Sequence, residues 1–434
     1  MNMIELKNPR GTLDYLPQQQ KIRQDIIRKL EDVFEKFGYQ PLETPILCHF
    51  ELLASKYAGG AEILKEVYTL YDQGNRQLGL RYDLTVPFSK VVGLNPDLRM
   101  PFKRYEIGKV FRDGPVKTGR NREFTQCDVD VVGVSSMLAE AEYFAITSEV
   151  FKKFGLETYI TYNNRKLLSG LVKASEIDVD IASSVILSID KYEKIGKDGV
   201  FEELNEKGIA KESAEKLFSF IEMDPKALLQ YLSENPINDQ IDEGIQELNE
   251  LNSYIEAANL DDYVRFSPFL ARGLEIYTGT IWEVFLIDGS ITSSLGGGGR
   301  YDKIIGGFLE SDIEYPPVGM SFGLDVIYEA LKMKGQAEYG VPAQIYIIPM
   351  GTEKECFNLA TMLRELGFNV DMEMTKRRLK KALDYANKLD IPYVIVIGDN
   401  ELKEKKFKIK RMADGKENVI DFDKIEDDLR EAIQ

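Results

Sequence analysis

The chain has 434 residues, which is enough for two or three domains because one hydrophobic core rarely grows beyond about 250–300 residues. Its formal net charge of −17 argues against general affinity for nucleic acids, and no apolar run approaches the roughly 20 residues of a membrane span. The only histidine, His49, excludes zinc sites and proton relays built on several histidines, so no metal-ligating residues are predicted. Three scattered cysteines and an N-terminus without a secretory pattern predict a cytoplasmic protein outside the membrane.

The first third of the chain predicts a helix, a short extended segment and two long strands. Residues 18–37 carry apolar side chains at helical spacing, and the extended segment YQPLETPIL follows them. Residues 78–93 predict a strand that becomes a helix near Pro87, since proline suits a first helical turn. Residues 102–133 carry the strongest strand signal, two antiparallel strands joined by the basic loop DGPVKTGRN.

The remainder of the chain changes character twice. A helix is predicted at 137–155, and residues 165–262 are acidic and show only helical spacing, which predicts a helical insertion. Strands resume at 277–287, and a helix is predicted near 321–333. From Ala343 onward, strands alternate with helices, which is typical of a small α/β domain with a largely parallel sheet.

These elements predict three domains. The first is an α+β core with an antiparallel sheet, built from residues 1–164 and 263–333. The second is the helical insertion of residues 165–262, and the third is the C-terminal α/β domain of residues 342–434.

The second long strand carries the clearest candidate for a binding site. It alternates so that Gln126, Asp128 and Asp130 share one face, while Val129 and Val131 share the other. Three polar side chains on one strand face need water, a cleft or a ligand. Because the chain has one histidine, we expect its chemistry to depend on Arg, Glu, Asp, Gln and Tyr.

Two arginines are candidates for binding an anion. Arg112 ends a strand beside the basic loop, and several cations on one hairpin suit phosphate, although a solvated hairpin explains them equally well. The other basic residues of this loop are Lys117, Arg120 and Arg122. Arg272 follows apolar residues, and a buried arginine there would need an anion. The run GGGGRYD at 296–302 is a weak candidate for a phosphate loop, because it lacks the GKS/T ending and the GxGxxG pattern.

The C-terminal domain has its own charge distribution. Residues 376–411 hold 12 basic and 5 acidic side chains, a local net charge of +7 within an acidic chain. Such a stretch can meet a polyanion, but a solvated lysine-rich helix and hairpin is the interpretation that charge alone favours.

In order, the motifs of the chain resemble those of histidyl-tRNA synthetases, a class II aminoacyl-tRNA synthetase family, over nearly the whole sequence. PRGTLDYLP resembles the opening segment of the family, GYQPLETPIL its motif 1 with Pro45, and FKRYEIGKVFRDGPVKTGRNREFTQCDVD its motif 2. LRYDLTVPF resembles the segment that holds the amino group of histidine. RGLEIYTGTIWEV and LGGGGRYDKIIGGF resemble the two histidine signatures. The resemblance implies a class II core, and the last domain resembles the anticodon-binding domain of the family.

The resemblance also implies roles for individual residues. Arg112 and Arg272 would be the catalytic arginines that bind the α-phosphate of ATP, with Arg120 as a further ATP-binding residue. Asp83 and Thr85 would touch the amino end of the substrate. The implied histidine-binding residues are Asp83, Leu84, Thr85, Gln126, Asp130, Ile276 and Tyr277. On the basic segment of the C-terminal domain, Arg377, Arg378 and Lys381 are the implied tRNA-binding residues.

The sequence departs from the family pattern at three positions. Where the family usually has RGLDYY, this chain has RGLEIY, so Glu275 replaces an aspartate and Ile276 replaces a tyrosine. Motif 3 usually ends in an arginine that contacts the γ-phosphate of ATP, but here Val326 takes that position after Asp325. Another basic group would have to supply that charge, or activity is reduced or lost.

The resemblance implies ligation of L-histidine to tRNA(His) through a histidyl-adenylate, with ATP as substrate, Mg²⁺ as cofactor and a homodimer as the assembly. Two alternatives stay open. A regulatory paralogue, similar to the regulatory subunit of ATP phosphoribosyltransferase, is favoured by the missing arginine and opposed by the retained Arg112, Gln126, Asp130 and Arg272. An RNA-independent amino-acid ligase is opposed by the basic segment of the last domain.

Overall fold

The computed structural model describes residues 5–56, 64–116, 121–272, 276–309, 315–336 and 342–433. By their contacts these residues form two compact units, a larger one of residues 5–15 and 22–336 and a smaller one of residues 16–21 and 342–433. No helix within the described ranges is long and apolar enough to cross a membrane.

The strands of the described residues fall into three sheets. In chain order they are β1 (Gln40–Pro41), β2 (Leu47–His49), β3 (Thr69–Tyr71), β4 (Gln77–Leu80), β5 (Phe102–Phe111), β6 (Glu123–Val132), β7 (Thr158–Asn164), β8 (Val264–Phe266), β9 (Thr280–Leu286), β10 (Gly296–Arg300), β11 (Pro317–Gly323), β12 (Ile345–Pro349), β13 (Val370–Met372), β14 (Tyr393–Ile397), β15 (Lys406–Arg411) and β16 (Glu417–Asp421).

The helices of the described residues are, in the same order, α1 (Pro17–Lys36), α2 (Phe50–Lys56), α3 (Thr85–Leu94), α4 (Leu138–Phe154), α5 (Arg165–Ala174), α6 (Ala182–Ile189), α7 (Tyr192–Glu206), α8 (Lys211–Ile221), α9 (Pro225–Glu234), α10 (Asp239–Ala257), α11 (Lys303–Leu309), α12 (Leu324–Met333), α13 (Glu353–Glu365), α14 (Leu379–Lys388), α15 (Asp399–Glu404) and α16 (Ile425–Ala432). Short 3₁₀ turns lie at Val179–Ile181, Asp261–Tyr263 and Phe422–Lys424.

An eight-stranded sheet forms the centre of the larger unit, in the order β1-β5-β6-β11-β10-β9-β7-β8. Its neighbours pair antiparallel except at the two edges, where β1 pairs parallel with β5 and β7 with β8. Strands β5 and β6 pair along their whole length, from Phe102 opposite Val132 to Phe111 opposite Glu123, which confirms the predicted antiparallel pair. The antiparallel core expected from the sequence is therefore present.

Helix α1 packs against this sheet through the apolar face predicted from its spacing. Ile22, Ile26, Leu30 and Phe34 are buried in the core cluster of the sheet. The ring of Phe34 lies 5.6 Å from that of Phe322 on β11. Burial of this face, at roughly 25 cal/mol per Å² of apolar surface, holds the helix on the sheet.

Residues 165–262 are helical throughout their regular structure, from α5 to α10, as their composition predicts. Their buried residues, including Leu171 and Leu248, belong to the same apolar cluster as the core of the large sheet. Gly170 on α5 and Gly244 on α10 allow the two helices to approach closely, since a Cβ at Gly244 would overlap the backbone of Leu167. The insertion is thus continuous in packing with the core, and its bounds as a separate domain stay a prediction.

The helix predicted near 321–333 begins later than expected, at Leu324. Residues 321–323 instead end strand β11, where Ser321 lies opposite Asp128 and Gly323 opposite Gln126. The prediction was wrong at this boundary because pairing with β6 keeps these residues extended, and no local sequence signal reports that pairing.

The smaller unit contains a five-stranded sheet in the order β13-β12-β14-β15-β16. Strands β13, β12 and β14 are parallel, and β15 and β16 add an antiparallel hairpin, so the largely parallel α/β sheet is confirmed. Its core lies on both faces of the sheet, with Ile345 and Ile347 facing one cluster and Tyr346 and Ile348 the other.

A buried carboxylate stabilises this unit. Glu373 accepts hydrogen bonds from the Tyr346 hydroxyl at 2.8 Å, from Arg377 Nη1 at 2.8 Å, and from both the N–H and the hydroxyl of Thr375 at 2.6 Å. Burial alone would raise the pKa of Glu373, but these bonds outweigh it and lower the pKa to about 2. Its contribution to stability is therefore complete above its ordinary pKa and is lost as pH falls towards 2.

We expect Glu373→Gln to destabilise the smaller unit by about 2 kcal/mol at pH 7, and this difference from the wild type should shrink as pH falls from about 4.5 towards 2. Hydrogen exchange of the β12 and β14 amides in the full chain measures the effect. Glu417→Gln is the matched control, because Glu417 pairs with Lys408 while 42% exposed and should change protection little. Equal loss of protection in both variants, or a pH-independent loss in Glu373→Gln, would contradict the assignment.

Candidate active site

A cavity of about 1170 Å³ lies against the large sheet of the larger unit. Strands β6, β7, β9, β10 and β11 contribute to its walls, and the insertion adds Asp190, just after α6, and Tyr192, at the start of α7. The predicted site residues that line it are Asp83, Thr85, Arg112, Gln126, Asp130, Arg272, Ile276 and Tyr277. Side chains as distant in sequence as Asp83 and Tyr277 thus line one cavity.

The polar face of β6 is confirmed. Gln126, Asp128 and Asp130 line the cavity, whereas the intervening Val129 and Val131 are buried in the apolar core. Asp128 is only 4% exposed, and burial, followed by the nearby charge of Asp130, raises its pKa to about 7, while Arg104 acts in the opposite direction. A charged ligand nearby would therefore readily change the protonation state of this carboxyl group.

Asp130 is held by two partners that the sequence did not point to. The Tyr301 hydroxyl donates to Oδ1 at 2.5 Å, and Arg104 Nη2 lies 2.8 Å from Oδ2. Arg104 is fully buried on β5, directly opposite Asp130. Burial alone would lower the pKa of Arg104, but Asp130 and Asp128 raise it. The site therefore contains a fixed, ionised guanidinium behind its carboxylates.

A glycine makes room for this carboxylate. Gly319 lies opposite Asp130 in the β6–β11 pairing, and a Cβ at that position would overlap Asp130 Oδ1. Any larger residue would push the carboxylate away from its partners.

The segment between β4 and α3 supplies Asp83 and Thr85. Asp83 Oδ1 accepts the backbone N–H of Val86 at 3.0 Å, which fixes the carboxylate at the start of α3. Both side chains line the cavity. Leu84 is placed differently, because its side chain is fully buried and its carbonyl accepts from Arg104 Nη2 at 3.3 Å. Leu84 is not among the residues that line the cavity, so its predicted contact with histidine stays a prediction.

Arg112 enters the cavity just beyond the end of β5. Its Nε donates to the carbonyl oxygen of Tyr82 at 3.2 Å, and its guanidinium lies over the rings of Tyr82 (4.3 Å) and Phe124 (5.0 Å). Two aromatic faces fix the plane of the cation, which suits bidentate binding of a phosphate.

The basic loop next to Arg112 is described only in part. Lys117 and the predicted ATP-binding residue Arg120 lie outside the described residues. Arg122 is described, and it is tied to the loop itself, with Nη1 3.1 Å from Asp113 and Nε donating to the carbonyl of Gly114 at 3.2 Å. Arg122 is therefore a structural residue of the loop in this arrangement.

Arg272 also lines the cavity, with a side chain that is 19% exposed. Its Nη1 donates to the carbonyl of Trp282 at 3.0 Å, and its Nε lies 3.7 Å from Glu283 Oε1. Burial would lower the pKa of Arg272, but Tyr277 and Glu283 raise it, so the group remains cationic. Its backbone has a φ of +42°, an uncommon conformation for a residue other than glycine.

The glycine run 296–302 is not a phosphate loop, so that interpretation was wrong. Residues 296–300 form the buried strand β10 between β9 and β11. A Cβ at Gly297 would overlap Arg272 Nη1, and one at Gly299 would overlap the ring of Tyr277. The glycines are needed because these side chains lie flat on the sheet.

The motif 3 position behaves as a packing position. Val326 is partly buried against the apolar core. The preceding residue, Asp325, forms an ion pair with Arg23 of α1 and accepts a hydrogen bond from the Tyr15 hydroxyl at 3.3 Å. Arg23 Nη2 also donates to Thr125 Oγ1 at 3.4 Å, and Thr125 lines the cavity. A guanidinium from α1 thus lies one layer behind the cavity wall.

His49 takes no part in this cavity. It is an exposed residue at the end of β2, paired with Leu78 of β4. Among the described residues, no group of three or more His, Cys, Asp or Glu side chains is arranged to hold a metal ion.

The predicted tRNA-binding residues lie on the smaller unit and differ in environment. Arg377 is bonded to Glu373 and lies over the ring of Tyr385 at 4.3 Å. Arg378 and Lys381, at the start of α14, are exposed. Arg377 is therefore committed to the fold of the unit, whereas Arg378 and Lys381 present free surface charge.

Two family profiles match the chain. The profile described as histidyl-tRNA synthetase matches residues 11–327, and the profile described as anticodon binding domain matches residues 344–432. A synthetase profile on one unit and an anticodon-binding profile on the other define the architecture of an aminoacyl-tRNA synthetase.

Individual relatives specify the family. The histidine–tRNA ligase 1 of Bacillus cereus is 51% identical over 416 residues, which are 96% of this chain and 97% of that protein. The histidine–tRNA ligase of Clostridium tetani is 36% identical and covers 95% of each chain. The crystal structure of histidyl-tRNA synthetase from Nostoc sp. PCC 7120 superimposes with a TM-score of 0.85 at 30% identity, covering 99% of this chain and 100% of that one. The chain belongs to the histidyl-tRNA synthetase family.

Proposed function

We propose that this protein ligates L-histidine to tRNA(His) in two steps, with ATP as the energy source. The observation that carries the proposal is that one cavity is lined both by the carboxylate and amide face of β6 and by Arg112 and Arg272. The polar face of β6 suits an amino acid with a polar ring, and the two arginines suit the phosphates of ATP.

In the first step, the carboxylate of histidine attacks the α-phosphorus of ATP, forming histidyl-adenylate and releasing pyrophosphate. The nucleophile is already ionised at neutral pH, so the protein needs no general base. Its contribution is to position the reactants and to stabilise negative charge on the phosphorus centre. Arg112 and Arg272 are the proposed residues for that charge, because both are fixed cations on the cavity wall.

In the proposed recognition of histidine, Asp130 accepts a hydrogen bond from the imidazole, with Tyr301 and Arg104 holding it in place. Asp83 and Thr85 receive the amino end, with Gln126 nearby, and Ile276 and Tyr277 complete the pocket. A ligand without matching donors would leave these buried polar groups unpaired, which is the basis of selection.

Mg²⁺ is proposed to enter with ATP. The described residues offer no cage of three ligating side chains, and Mg²⁺ is ordinarily held by substrate phosphates, water and one or two carboxylates. Glu66 lines the cavity, and its Oε2 accepts from the hydroxyl of Tyr82, the residue that stacks on Arg112, so it is the proposed carboxylate. When bound, the ion would neutralise charge on the phosphates.

A regulatory paralogue is less well supported. The loss of an arginine at Val326 favours it, and a Bacillus halodurans structure described as an ATP phosphoribosyltransferase regulatory subunit/histidyl-tRNA synthetase shares the fold, with a TM-score of 0.75 at 21% identity. That structure covers 89% of this chain, and this chain covers 97% of it. The retained cavity arginines and the 51% identity to a histidine–tRNA ligase favour the catalytic function.

ATP–pyrophosphate exchange measured with each of the twenty amino acids tests the function. We expect exchange with histidine only. Exchange with another amino acid instead would show that histidine is not the substrate. Absence of exchange with all twenty would favour the regulatory alternative.

The protein is further proposed to act as a cytoplasmic homodimer. The three-stranded sheet β2-β4-β3, next to Pro45 of the motif 1 segment, exposes Ile46, Leu47, Leu70 and Tyr71. Large exposed apolar side chains occur at protein–protein interfaces, and this sheet is the proposed one.

The exposed basic face of α14 is proposed to bind the tRNA. We expect Arg378→Ala combined with Lys381→Ala to weaken tRNA binding about 10-fold near 0.1 M salt and to reduce the slope of log K against log salt by about 1–2, because phosphate contacts release counterions. Histidine-dependent exchange should not change, since adenylate formation needs no RNA.

The matched control for this surface is Lys354→Ala combined with Lys424→Ala. It removes two exposed charges of the same unit outside the basic segment 376–411. Equal weakening by both double variants would mean that only net charge matters. Arg377 is left intact because its loss would also disturb Glu373.

A further inference from the structure

Gln126 has both of its donors in use and its acceptor open. Its Nε2 lies 3.4 Å from Asp128 Oδ1 and 3.2 Å from Ser321 Oγ, so each of the two N–H groups has an acceptor. Gln126 Oε1 is buried and meets no donor among the residues that the structure describes. An unmet buried acceptor costs roughly 1–3 kcal/mol, so the site is completed only by a ligand that donates to it.

The orientation of this amide has a specific cause. An amide can rotate by 180° and exchange its oxygen and nitrogen. The Ser321 hydroxyl hydrogen bonds to Asp128, so its oxygen accepts from Nε2 in the observed orientation. Asp128 Oδ1 accepts from Nε2 at 3.4 Å, and in its ionised form the carboxylate only accepts, so that form attracts Nε2 and repels Oε1. Asp128 is therefore the neighbour that selects the orientation in which Oε1 remains open.

Asp128 can hold the amide of Gln126 because Tyr301 and Arg104 bind the neighbouring carboxylate, Asp130. Tyr301 and Arg104 hold Asp130, whereas Asp128 lies opposite Ser321 and hydrogen bonds to it. Burial, Asp130 and Asp83 raise the pKa of Asp128, and Arg104 lowers it. A cationic ligand nearby would favour the ionised form, so binding would reinforce the orientation.

We propose that Asp128 is a positioning residue for substrate selection: it holds the amide of Gln126 with Oε1 towards the cavity, where that oxygen accepts a hydrogen bond from the ammonium group of the amino acid. An ammonium is the donor that fits best, since the carboxyl group of Asp83 also lines this cavity. The inference rests on the proposed function, because it assumes that the ligand is histidine.

Isothermal titration calorimetry with two ligands tests the inference on the full chain. L-Histidine carries the ammonium, and imidazolepropionate has the same ring and carboxylate without it. Asp128→Asn places a donor beside Gln126 and permits the inverted amide. We expect it to weaken histidine binding by at least about 10-fold and imidazolepropionate binding by less than about 3-fold. Equal weakening of both ligands, or no weakening of histidine, would overturn the proposal.

Making Asp128→Asn in a protein that already carries Gln126→Glu distinguishes the proposed role from a general disturbance of the site. Gln126→Glu gives the site two acceptors whose orientation no longer matters, but it places two carboxylates together. In that background Asp128→Asn should strengthen histidine binding, because the new amide donates to the glutamate. A loss of the same size in both backgrounds would show that Asp128 is only structural.

Folding and the proposed function are checked separately. Fluorescence of Trp282, the only tryptophan, reports whether each variant has a folded core. If Asp128→Asn does not fold, Asp128→Ala should show the same preference between the ligands with a smaller loss. Failure of the wild type to bind histidine at all would count against the proposed function, whereas a failure confined to the variant pattern counts against Asp128 alone.

Discussion

Replacing Arg272 with alanine is expected to lower histidine-dependent ATP–pyrophosphate exchange by about 10²-fold or more. This is the usual loss when one charge contact to a transition state is removed from a preorganised site. Arg272 is preorganised, because the Trp282 carbonyl accepts from Nη1 at 3.0 Å and the ring of Tyr277 lies 5.4 Å from its guanidinium. The loss should appear mainly in kcat, since the contact strengthens as charge develops.

A second variant displaces the Arg272 side chain without replacing that residue. Gly297→Ala would place a Cβ where Arg272 Nη1 lies and against the Trp282 carbonyl, so we expect a loss of comparable size. Arg28→Ala is the charge-matched control, because Arg28 is exposed on α1 and pairs with Asp25. Near-normal exchange by a folded Arg272→Ala protein would contradict the catalytic assignment.

Replacing Asp130 with asparagine is expected to raise the KM for histidine about 10²-fold while changing the KM for ATP by less than about 3-fold. The ring of histidine would lose a charged acceptor in a buried site, which costs roughly 1.5–3 kcal/mol. Asparagine is preferred to alanine as a test, because a vacant position would leave Arg104 buried without its partner at a cost of about 3–5 kcal/mol.

Tyr301→Phe tests how much of the histidine recognition by Asp130 depends on the hydroxyl that holds Asp130 in place. It removes only the hydroxyl that donates to Asp130 Oδ1, so we expect a rise of about 10-fold in the KM for histidine. Thermal unfolding followed by Trp282 fluorescence shows whether either variant is destabilised. Equal increases in the KM for histidine and for ATP in Asp130→Asn would identify Asp130 as a structural residue.

Local sequence patterns were enough to predict the elements whose side chains alternate strongly. Strands β5 and β6 and helix α1 follow their apolar spacing closely. Strand β10 could not be predicted in this way, because glycines have no side chains to alternate and their run resembles a loop. Its extended form is imposed by pairing with β9 and β11, which is a tertiary effect.

The candidate site was predictable to the extent that it lies on one strand or in a recognisable motif. Gln126 and Asp130 were accessible from alternation alone. Arg104 carries a weaker signal, a charged residue on a strand that is otherwise suited to burial, and its ion pair with Asp130 depends on the register of β5 and β6. Tyr301 is 171 positions from Asp130, and no local pattern reports such a contact.

The positive charge missing at Val326 is not supplied by the neighbouring ion pair. Asp325, which precedes it, is paired with Arg23, and Arg23 also bonds to Thr125 of the cavity wall. The pairing stabilises the junction of α1 and α12, but it leaves Arg23 neutralised. Arg112 and Arg272 are therefore the described cations that the proposed chemistry uses.

Charging of tRNA(His) with labelled histidine tests the central claim most directly, namely that the chain is a working synthetase despite Val326. We predict ATP-dependent formation of histidyl-tRNA by the wild-type protein, abolished when ATP is omitted and reduced by about 10²-fold or more in Arg272→Ala. Absence of charging by folded wild-type protein, with histidine binding retained, would contradict the claim and favour the regulatory alternative.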